Sequence, residues 1–169
     1  PGTVPDGVVE SVFEPHVADL AATADRDGDH DVAAVLADLR DLMWDTAGIL
    51  RDDSSLRDAL ERLDAVREKA SNVRVGGVTD RSFELAIDLG FSLTVAETIL
   101  RGALERTESR GAHYRTDHTD TDPDWRRNIC FEQPDVGRMR PHTVPVGAPS
   151  EAVRDALDAG HELDYHQLE

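Results

Sequence analysis

The sequence predicts an all-α protein, an antiparallel three-helix bundle of the spectrin-repeat type with a helical lead-in and an irregular C-terminal extension. Two observations support this prediction. Three segments between residues 31 and 115 place apolar residues every three or four positions, as amphipathic helices do. Short polar or glycine-containing links separate them, so that neighbouring helices are expected to run antiparallel. No alternating strand pattern of comparable strength competes with this interpretation.

The first predicted helix spans about residues 31–48, the second about 54–71 and the third about 80–110. Asp31 suits the N-cap of the first helix, and Ser55 opens a near capping box in the second. Each helix has one apolar stripe, which we expect to face the core. The expected core residues are Val32, Val35, Leu36, Leu39, Leu42, Met43, Trp44, Leu56, Ala59, Leu60, Leu63, Val66, Ala70, Phe83, Ala86, Ile87, Leu93, Ala96, Leu100, Ala103 and Leu104.

Glycines and one proline indicate the boundaries of these helices. Gly48 and Gly111 stand where the first and third helices are expected to end, because glycine adopts the left-handed conformation that closes a last turn. Gly90 and Gly102 lie inside the third helix, where we expect another helix to approach closely. Pro15 interrupts the helical spacing of the N-terminal part and predicts a break between two helices there.

We divide the chain into a lead-in at residues 1–30, the bundle at 31–115 and an irregular extension at 116–169. The stretch 134–149 is rich in proline, glycine and arginine and is expected to lie over the bundle. Ser150 suits the N-cap of a short final helix. That helix is expected to bury Val153, Ala156 and Leu157 and to end at Gly160.

Charge restricts the classes of partner. The chain has 18 basic and 35 acidic residues, a net charge of −17, and Lys69 is its only lysine. Such a surface repels nucleic acids and anionic lipids, so we expect no nucleic-acid partner and no direct membrane insertion. The charge also suits a halophilic protein, because concentrated salt screens self-repulsion at short range.

The cysteine content and the first residues suggest the cellular compartment of the protein and its relation to a longer chain. With one cysteine, Cys130, and no recognisable signal peptide, the sequence indicates a cytoplasmic protein without an internal disulfide. The chain opens at Pro1 and Gly2 rather than at methionine, which we interpret as a piece cut from a longer protein.

Segment 105–115 brings Arg110, His113 and Arg115 close together in an otherwise acidic chain. A planar guanidinium pairs bidentately with a carboxylate, which favours contacts from this segment to an acidic partner. A hydrolase triad using Ser109 and His113 is not favoured, because the sequence has no Gly-x-Ser-x-Gly elbow. The predicted helices also contain no Glu-x-x-His pair of the kind that bundle metalloenzymes use. We therefore assign no catalytic, cofactor-binding or metal-binding residue to this chain.

Two motifs resemble one protein family. The run Glu108-Ser109-Arg110-Gly111-Ala112-His113-Tyr114-Arg115 resembles a signature near the C-terminus of FAD-dependent dicarboxylate oxidoreductases. These are the flavoprotein subunits of succinate dehydrogenase and fumarate reductase, and L-aspartate oxidase. The segment Leu-Met-Trp-Asp-Thr-Ala-Gly-Ile-Leu-Arg at 42–51 is similar to the Met-Trp-Asp-Tyr-Val-Gly-Ile-Val-Arg type of segment in L-aspartate oxidases. The resemblance covers about residues 32–130.

The resemblance implies the C-terminal helical domain of a larger enzyme, in which FAD exchanges a hydride equivalent with succinate, fumarate or aspartate. The FAD fold and the substrate-binding residues of the family lie upstream. We therefore expect FAD in the intact protein, no cofactor in this chain, and no activity from this piece alone. The implied partners are the FAD-binding domain of the same polypeptide and, in a succinate dehydrogenase or fumarate reductase, an iron–sulfur subunit. Such a complex would place the protein at the periphery of a membrane.

The resemblance also implies an interface role for the signature residues. These are Glu108, Ser109, Arg110, Gly111, His113 and Arg115. Arg110, His113 and Arg115 are expected to be partly exposed in this chain, with their partners missing. Saturation of all three within the chain would contradict a docking role.

Two questions stay open at the level of sequence. Met43, Trp44 and Asp45 favour L-aspartate oxidase within the family, although the signature fits both groups. A stand-alone helical-bundle module, binding an anionic partner through its Arg/His cluster, is the alternative from a different class. A reading frame that begins within a few residues of Pro1 would favour that module.

Overall fold

The computed structural model describes residues 7–132 and 139–159. The elements of this part, in chain order, are α1 (Val8–Ala24), β1 (His30–Asp31), α2 (Val32–Thr46), β2 (Leu50–Arg51), α3 (Asp53–Ser71), β3 (Val73–Arg74), α4 (Arg81–Glu105), β4 (Tyr114–Arg115), a 3-10 turn (Pro123–Trp125), β5 (Arg127–Glu132), β6 (Arg140–Pro145) and α5 (Glu151–Asp158). Residues 1–6, 133–138 and 160–169 lie outside the described part. The expected helix end at Gly160 is therefore not described.

Helices α2, α3 and α4 pack against one another and enclose the hydrophobic core, which confirms the predicted three-helix bundle. Leu56, Ala59 and Leu100 retain no exposed surface. Removing such side chains from water is the main favourable contribution to folding. The buried core consists of leucine, valine and alanine; the predicted Phe83 packs partly buried at its edge, and the predicted Ile87 is not part of it. The division at residues 30/31 and 115/116 stays a prediction.

Trp44 is a correction to the predicted core, because 82% of the residue is exposed. It follows the buried Leu42 by two positions, and two helical steps rotate a side chain by about 200° around the axis. That rotation turns the indole away from α3 and α4. Met43, between them, packs against the edge of the core as a partly buried side chain.

Aspartates cap the three bundle helices at their N-termini. The carboxylate of Asp31 accepts a hydrogen bond from the Ala34 amide at 2.9 Å. Asp52 accepts one from the Ser55 amide at 2.9 Å, so α3 begins slightly earlier than the predicted Ser55 cap. The Ser54 and Ser55 hydroxyls also donate to Asp52, and these bonds lower the pKa of its carboxyl to about 2.

The lead-in is one helix, because α1 continues through Pro15. The predicted break is therefore wrong. Proline removes one intrahelical hydrogen bond, and residues 14–22 of α1 are exposed, so water can satisfy the freed carbonyl group. The side chains of residues 8–13 lie outside the described part. No described helix combines the length and apolar content needed to cross a bilayer.

Two short parallel pairings fasten the links between helices. β1 pairs with β3, which joins the start of α2 to the end of α3. β2 pairs with β4 in the register Leu50 to Tyr114 and Arg51 to Arg115. The second pairing brings the link between α2 and α3 against the signature segment.

The C-terminal extension contains an antiparallel hairpin of β5 and β6, which the sequence did not predict. Phe131 of β5 contacts α4 at Gly102, and the Thr98 hydroxyl lies 3.3 Å from the sulfur of Met139. Prolines at both ends of β6 obscured the strand pattern, although edge strands tolerate them. The Ser150 cap of α5 is confirmed by the Val153 amide.

Helix α5 differs from its prediction in burial. Val153 and Ala156 are exposed rather than turned inward. The side chain of Leu157 lies outside the described part. The described side chains of α5 therefore add nothing to the hydrophobic core.

The glycines inside α4 do not mark helix contacts, which corrects the expectation for Gly90 and Gly102. A Cβ added at Gly90 would meet no atom within 4 Å, and one at Gly102 would lie 3.6 Å from the Phe131 ring. The close approach lies instead at Gly28, where an added Cβ would fall 2.2 Å from the carbonyl oxygen of Asn72. Only a residue without a side chain fits there.

Two substitutions are expected to change stability in opposite directions. Gly90→Ala should raise the free energy of unfolding by up to about 1 kcal/mol, because alanine is the better helix former and the site is open. Gly28→Ala should lower it by about 1–3 kcal/mol, because the Asn72 backbone must move. Urea unfolding of both variants measures the difference. Equal effects from the two would contradict this account of the glycines.

Candidate functional site

The signature segment follows α4 as a folded loop with two buried charges. Helix α4 ends at Glu105, earlier than the predicted residue 110. After it the chain turns back, and the side chains of Glu108 and Arg115 are completely buried. Buried charges require paired and hydrogen-bonded partners, and the loop supplies them for both.

The Arg115 guanidinium closes the C-terminus of α4. Its Nη1 donates to the carbonyl oxygens of Ala103 at 2.9 Å, Leu104 at 3.2 Å and Arg106 at 3.2 Å. Carbonyl groups in the last turn of a helix have no partner within the helix, and a cation there also interacts favourably with the helix dipole. The cation at this helix end therefore comes from outside the helix, since the last turn of α4 contains no basic residue.

Asp117 completes this arrangement from the other side. Its two carboxylate oxygens accept the Nε and Nη2 groups of Arg115 at 2.7 Å each. The same carboxylate accepts the backbone amide of Asp53, at the start of α3, at 3.0 Å. The bonds from Arg115 hold the pKa of Asp117 well below its usual range. One ion pair thus joins the end of α4 to the beginning of α3.

Glu108 gathers a second set of partners. Its carboxylate accepts Nη1 of Arg106 at 2.6 Å and both Nε and Nη2 of Arg110, at 2.8 and 3.0 Å. It also accepts the Asp122 amide at 2.9 Å. The bonds from Arg110 are the main reason that the pKa of Glu108 falls to about 2, although burial opposes that shift.

Ser109 has a structural role. Its hydroxyl accepts the Arg115 amide at 2.9 Å and donates to the His118 carbonyl at 2.7 Å. Both bonds hold the loop closed. A hydroxyl that is engaged in this way, beneath the protein surface, is poorly placed to act as a nucleophile.

Gly111 lies in a tight turn rather than at a helix end, which corrects the expected cap. The Arg110 and His113 backbones exchange two hydrogen bonds across this turn, at 2.8 and 3.0 Å. Gly111 has a φ of +58°, a left-handed conformation that favours glycine. The left-handed conformation was predicted correctly, but the element that contains it was not.

The pairing of β2 with β4 places Arg51 beside His113. Nη1 of Arg51 donates to Nδ1 of His113 at 2.7 Å, so Nδ1 is the unprotonated nitrogen and the ring is neutral. Burial lowers the pKa of His113, and the positive charges of Arg51, Arg115 and Arg106 lower it further. Arg51 also donates to the carbonyls of Ala47 and Gly48 at the end of α2.

Arg51 and His113 belong to an open cleft of about 480 Å³ between α4 and the hairpin, which we call the basic cleft. It is lined by Arg51, Thr98, Ile99, Gly102, Ala103, Arg106, Arg110, His113, Asn128, Ile129 and Phe131. The described lining contains three arginines and no acidic residue. This composition is unusual in a chain of net charge −17.

The structure therefore separates the predicted site residues. Arg110 and His113 reach the basic cleft, whereas Arg115 is buried beneath it with Ser109 and Glu108. The expectation that the cations lack partners is wrong, because acids in the same loop already pair with both arginines. The burial of Arg115 argues against a docking role for it. For Arg110, which keeps exposed surface, that role stays a prediction.

Three contributors were missed at the level of sequence: Arg51, Arg106 and Asp117. Arg51 ends the second resembling segment, but it lies more than 60 residues from His113 in the chain. Only the β2–β4 pairing brings the two together. Asp117 stands in an acid-rich run, where nothing in the sequence distinguishes it from its neighbours.

Comparison with protein families settles the affiliation. The family model described as the fumarate reductase flavoprotein C-terminal region matches residues 36–149. The chain belongs to this family. The predicted resemblance is thereby confirmed, and the family includes succinate dehydrogenase and fumarate reductase flavoproteins and L-aspartate oxidases.

Individual relatives agree with this family. An FAD-dependent oxidoreductase of Methanocaldococcus jannaschii is 40% identical over 62% of this chain and 19% of its own length. A fumarate reductase (CoM/CoB) polypeptide of Methanothermobacter marburgensis is 36% identical over 70% of this chain and 21% of its own. An L-aspartate oxidase of Pseudomonas aeruginosa is 37% identical over 66% of this chain and 20% of its own length. The chain thus spans about a fifth of the length of these relatives.

A solved structure shows the same fold. Escherichia coli quinol fumarate reductase superposes with a TM-score of 0.81 at 23% identity, over 88% of this chain and 26% of the matched one. The family fold is therefore retained in this chain, including the part that follows the bundle.

The buried carboxylate of Glu108 is expected to make stability depend on acid pH. The pKa of Glu108 is 4.5 in the unfolded chain and about 2 in the folded chain. Its contribution to the free energy of unfolding is therefore complete above pH 4.5 and is lost as the pH falls towards 2. Glu108→Gln, which has no titrating group, should show a smaller loss of unfolding free energy between pH 5 and pH 3 than the unmodified chain.

Urea unfolding at several pH values measures this difference. Glu105→Gln is the matched control, because Glu105 is close in sequence but exposed, and its profile should follow that of the unmodified chain. A Glu108→Gln profile parallel to that of Glu105→Gln would contradict the role given to Glu108.

Proposed function

We propose that this chain packs, as a C-terminal helical domain, against the FAD-carrying part of the same polypeptide in a dicarboxylate oxidoreductase. The relatives named above support the proposal, because the matched region is only about a fifth of their length and their names are FAD-dependent or dicarboxylate-directed. The chain itself would supply support and shape rather than chemistry. Activity would belong to the intact protein.

The observation that favours packing is an exposed apolar groove between α2 and α4. Phe91, Val95 and Ile99 follow one another at four-residue spacing on α4 and stay largely exposed. With the edge of α2 at Leu39 and Met43 they border a groove of about 470 Å³. Large apolar side chains grouped on one face mark an interaction surface. The rest of a longer polypeptide, of which the matched region is about a fifth in the relatives, is the natural occupant.

The described part of the chain does not fit FAD itself. Dinucleotides bind where a parallel strand leads through a glycine-rich turn into a helix. The described strands form two-residue pairings and one antiparallel hairpin, and no such turn follows any of them. We therefore place FAD outside this chain, in the portion that precedes it in the family.

Two substrate groups fit the proposal, succinate or fumarate on one side and aspartate on the other. Fumarate reductase and L-aspartate oxidase relatives match at similar identity, 36% and 37%. A fumarate reductase or succinate dehydrogenase would add an iron–sulfur partner protein and a place at the membrane periphery, whereas an L-aspartate oxidase would not require them. The acidic surface further favours a cytoplasmic protein adapted to concentrated salt.

Expression of the complete reading frame tests the proposal. We expect the purified protein to contain FAD, and the flavin absorbance to bleach with succinate or aspartate or, once reduced, to recover with fumarate. The present chain alone should retain no FAD under the same conditions. A reading frame that starts close to Pro1, or a longer protein without flavin, would contradict the proposal.

A surface variant tests the packing face in that intact protein. Phe91→Glu places a charge in the α2–α4 groove and should expose the bundle to protease and reduce FAD retention. Val78→Glu is the matched control, because Val78 is equally exposed but lies in the link before α4. In the present chain both variants should unfold at the same urea concentration as the unmodified chain. An equal loss of protease protection and of FAD in Phe91→Glu and Val78→Glu would contradict packing on this face.

A further inference from the structure

The basic cleft has more positive charge than the chain neutralises. Arg51, Arg106 and Arg110 border it, and Glu108 is the carboxylate that pairs with two of them. That carboxylate is completely buried behind the arginines, not in the cleft. Three positive groups and one acid leave a local excess of positive charge. Elsewhere on this chain acidic residues outnumber basic ones about two to one.

Of the three arginines that line the basic cleft, Arg51 has no ion pair with a described carboxylate. Among the side chains that the structure describes, no carboxylate pairs with its guanidinium within 4 Å. Its three nitrogens each donate one bond, to Gly48, Ala47 and His113. A guanidinium has five N–H groups, so one remains on Nη1 and one on Nη2. These bonds fix the orientation of the group before any partner arrives.

Fixed orientation matters for binding. A side chain that is already immobilised loses little rotational freedom when it binds, so each new bond contributes more to affinity. Arg51 is held by two helix-terminal carbonyls, and His113 is held by the turn at Gly111. These contacts therefore preorganise Arg51 before any partner binds.

We propose that an acidic side chain from the FAD-carrying part of the polypeptide inserts into the basic cleft and pairs with Arg51 beside His113. The inference rests on the packing proposed above and adds the residue that fixes its register. The apolar groove and the basic cleft share Ile99, so one docked surface can reach both. The groove then supplies buried apolar area and the cleft supplies a directional ion pair.

Titration of His113 by NMR tests the inference, with histidine-labelled protein and His113→Asn for assignment. In the present chain burial and the charges of Arg51, Arg106 and Arg115 keep its pKa below 6.5. In the intact polypeptide an inserted carboxylate should raise that pKa relative to the present chain. An unchanged or lower pKa in the intact protein would overturn the inference.

Substitution of Arg51 gives a second readout. In the intact protein Arg51→Gln should increase the rate of proteolytic release of the bundle at least tenfold, and Arg51→Lys should restore part of the protection. Arg126→Gln is the control, because Arg126 is exposed and lies outside the cleft lining. Arg51 also donates to the carbonyls of Ala47 and Gly48 at the end of α2. Urea unfolding of the present chain measures the stability lost with these bonds, separately from any loss of docking. Equal release rates for Arg51→Gln and Arg126→Gln would overturn the inference.

The outcomes distinguish failure of this inference from failure of the proposed function on which it rests. If the unmodified intact protein binds FAD and protects the bundle while His113 and Arg51 behave as in the present chain, the packing stands and the carboxylate contact is wrong. If the bundle is not protected at all, the packing itself fails. Succinate added to the present chain should not shift the His113 signals, and a shift at millimolar succinate would assign the cleft to a free dicarboxylate instead.

Discussion

The ion pair between the buried Arg115 and the partly exposed Asp117 is the interaction on which the rest of the site depends. One guanidinium satisfies three carbonyls at the end of α4, and its carboxylate partner satisfies an amide at the start of α3. Loop closure around this pair is what turns the chain back after Glu105. Without it, two helix ends would lie beneath the loop with unsatisfied polar groups, which is costly in a buried setting.

The loop divides its cations between two functions. Arg115 lies inside and stabilises the fold, whereas Arg110 and Arg106 face outward with Glu108 behind them. Because the internal acids already neutralise part of this charge, the outer surface of the cleft is only moderately positive and stays compatible with an acidic chain. Arg51 is held differently, by carbonyls and a neutral histidine. That difference makes Arg51 the best-placed group for a partner outside the chain.

The sequence predicted the parts of the structure that local periodicity determines. The three bundle helices, most of their buried stripes and the Asp31 and Ser150 caps follow from residue type and spacing. Long-range pairing could not be predicted in the same way. The contact between Arg51 and His113 depends on β2 meeting β4, and each strand has two residues. Trp44 was misplaced because a bulky apolar residue beside a stripe resembles core, although its angle around the helix excludes it.

A double-mutant cycle on Arg115 and Asp117 measures the central interaction most directly. Urea unfolding of Arg115→Gln, Asp117→Asn and the double variant should give a coupling free energy of at least about 1.5 kcal/mol, because Arg115 is buried and pairs bidentately with Asp117. The exposed pair of Arg62 and Asp58, studied in the same way, should give no more than about 0.5 kcal/mol. Additive effects of Arg115 and Asp117, with a coupling as small as that of the exposed pair, would contradict the account.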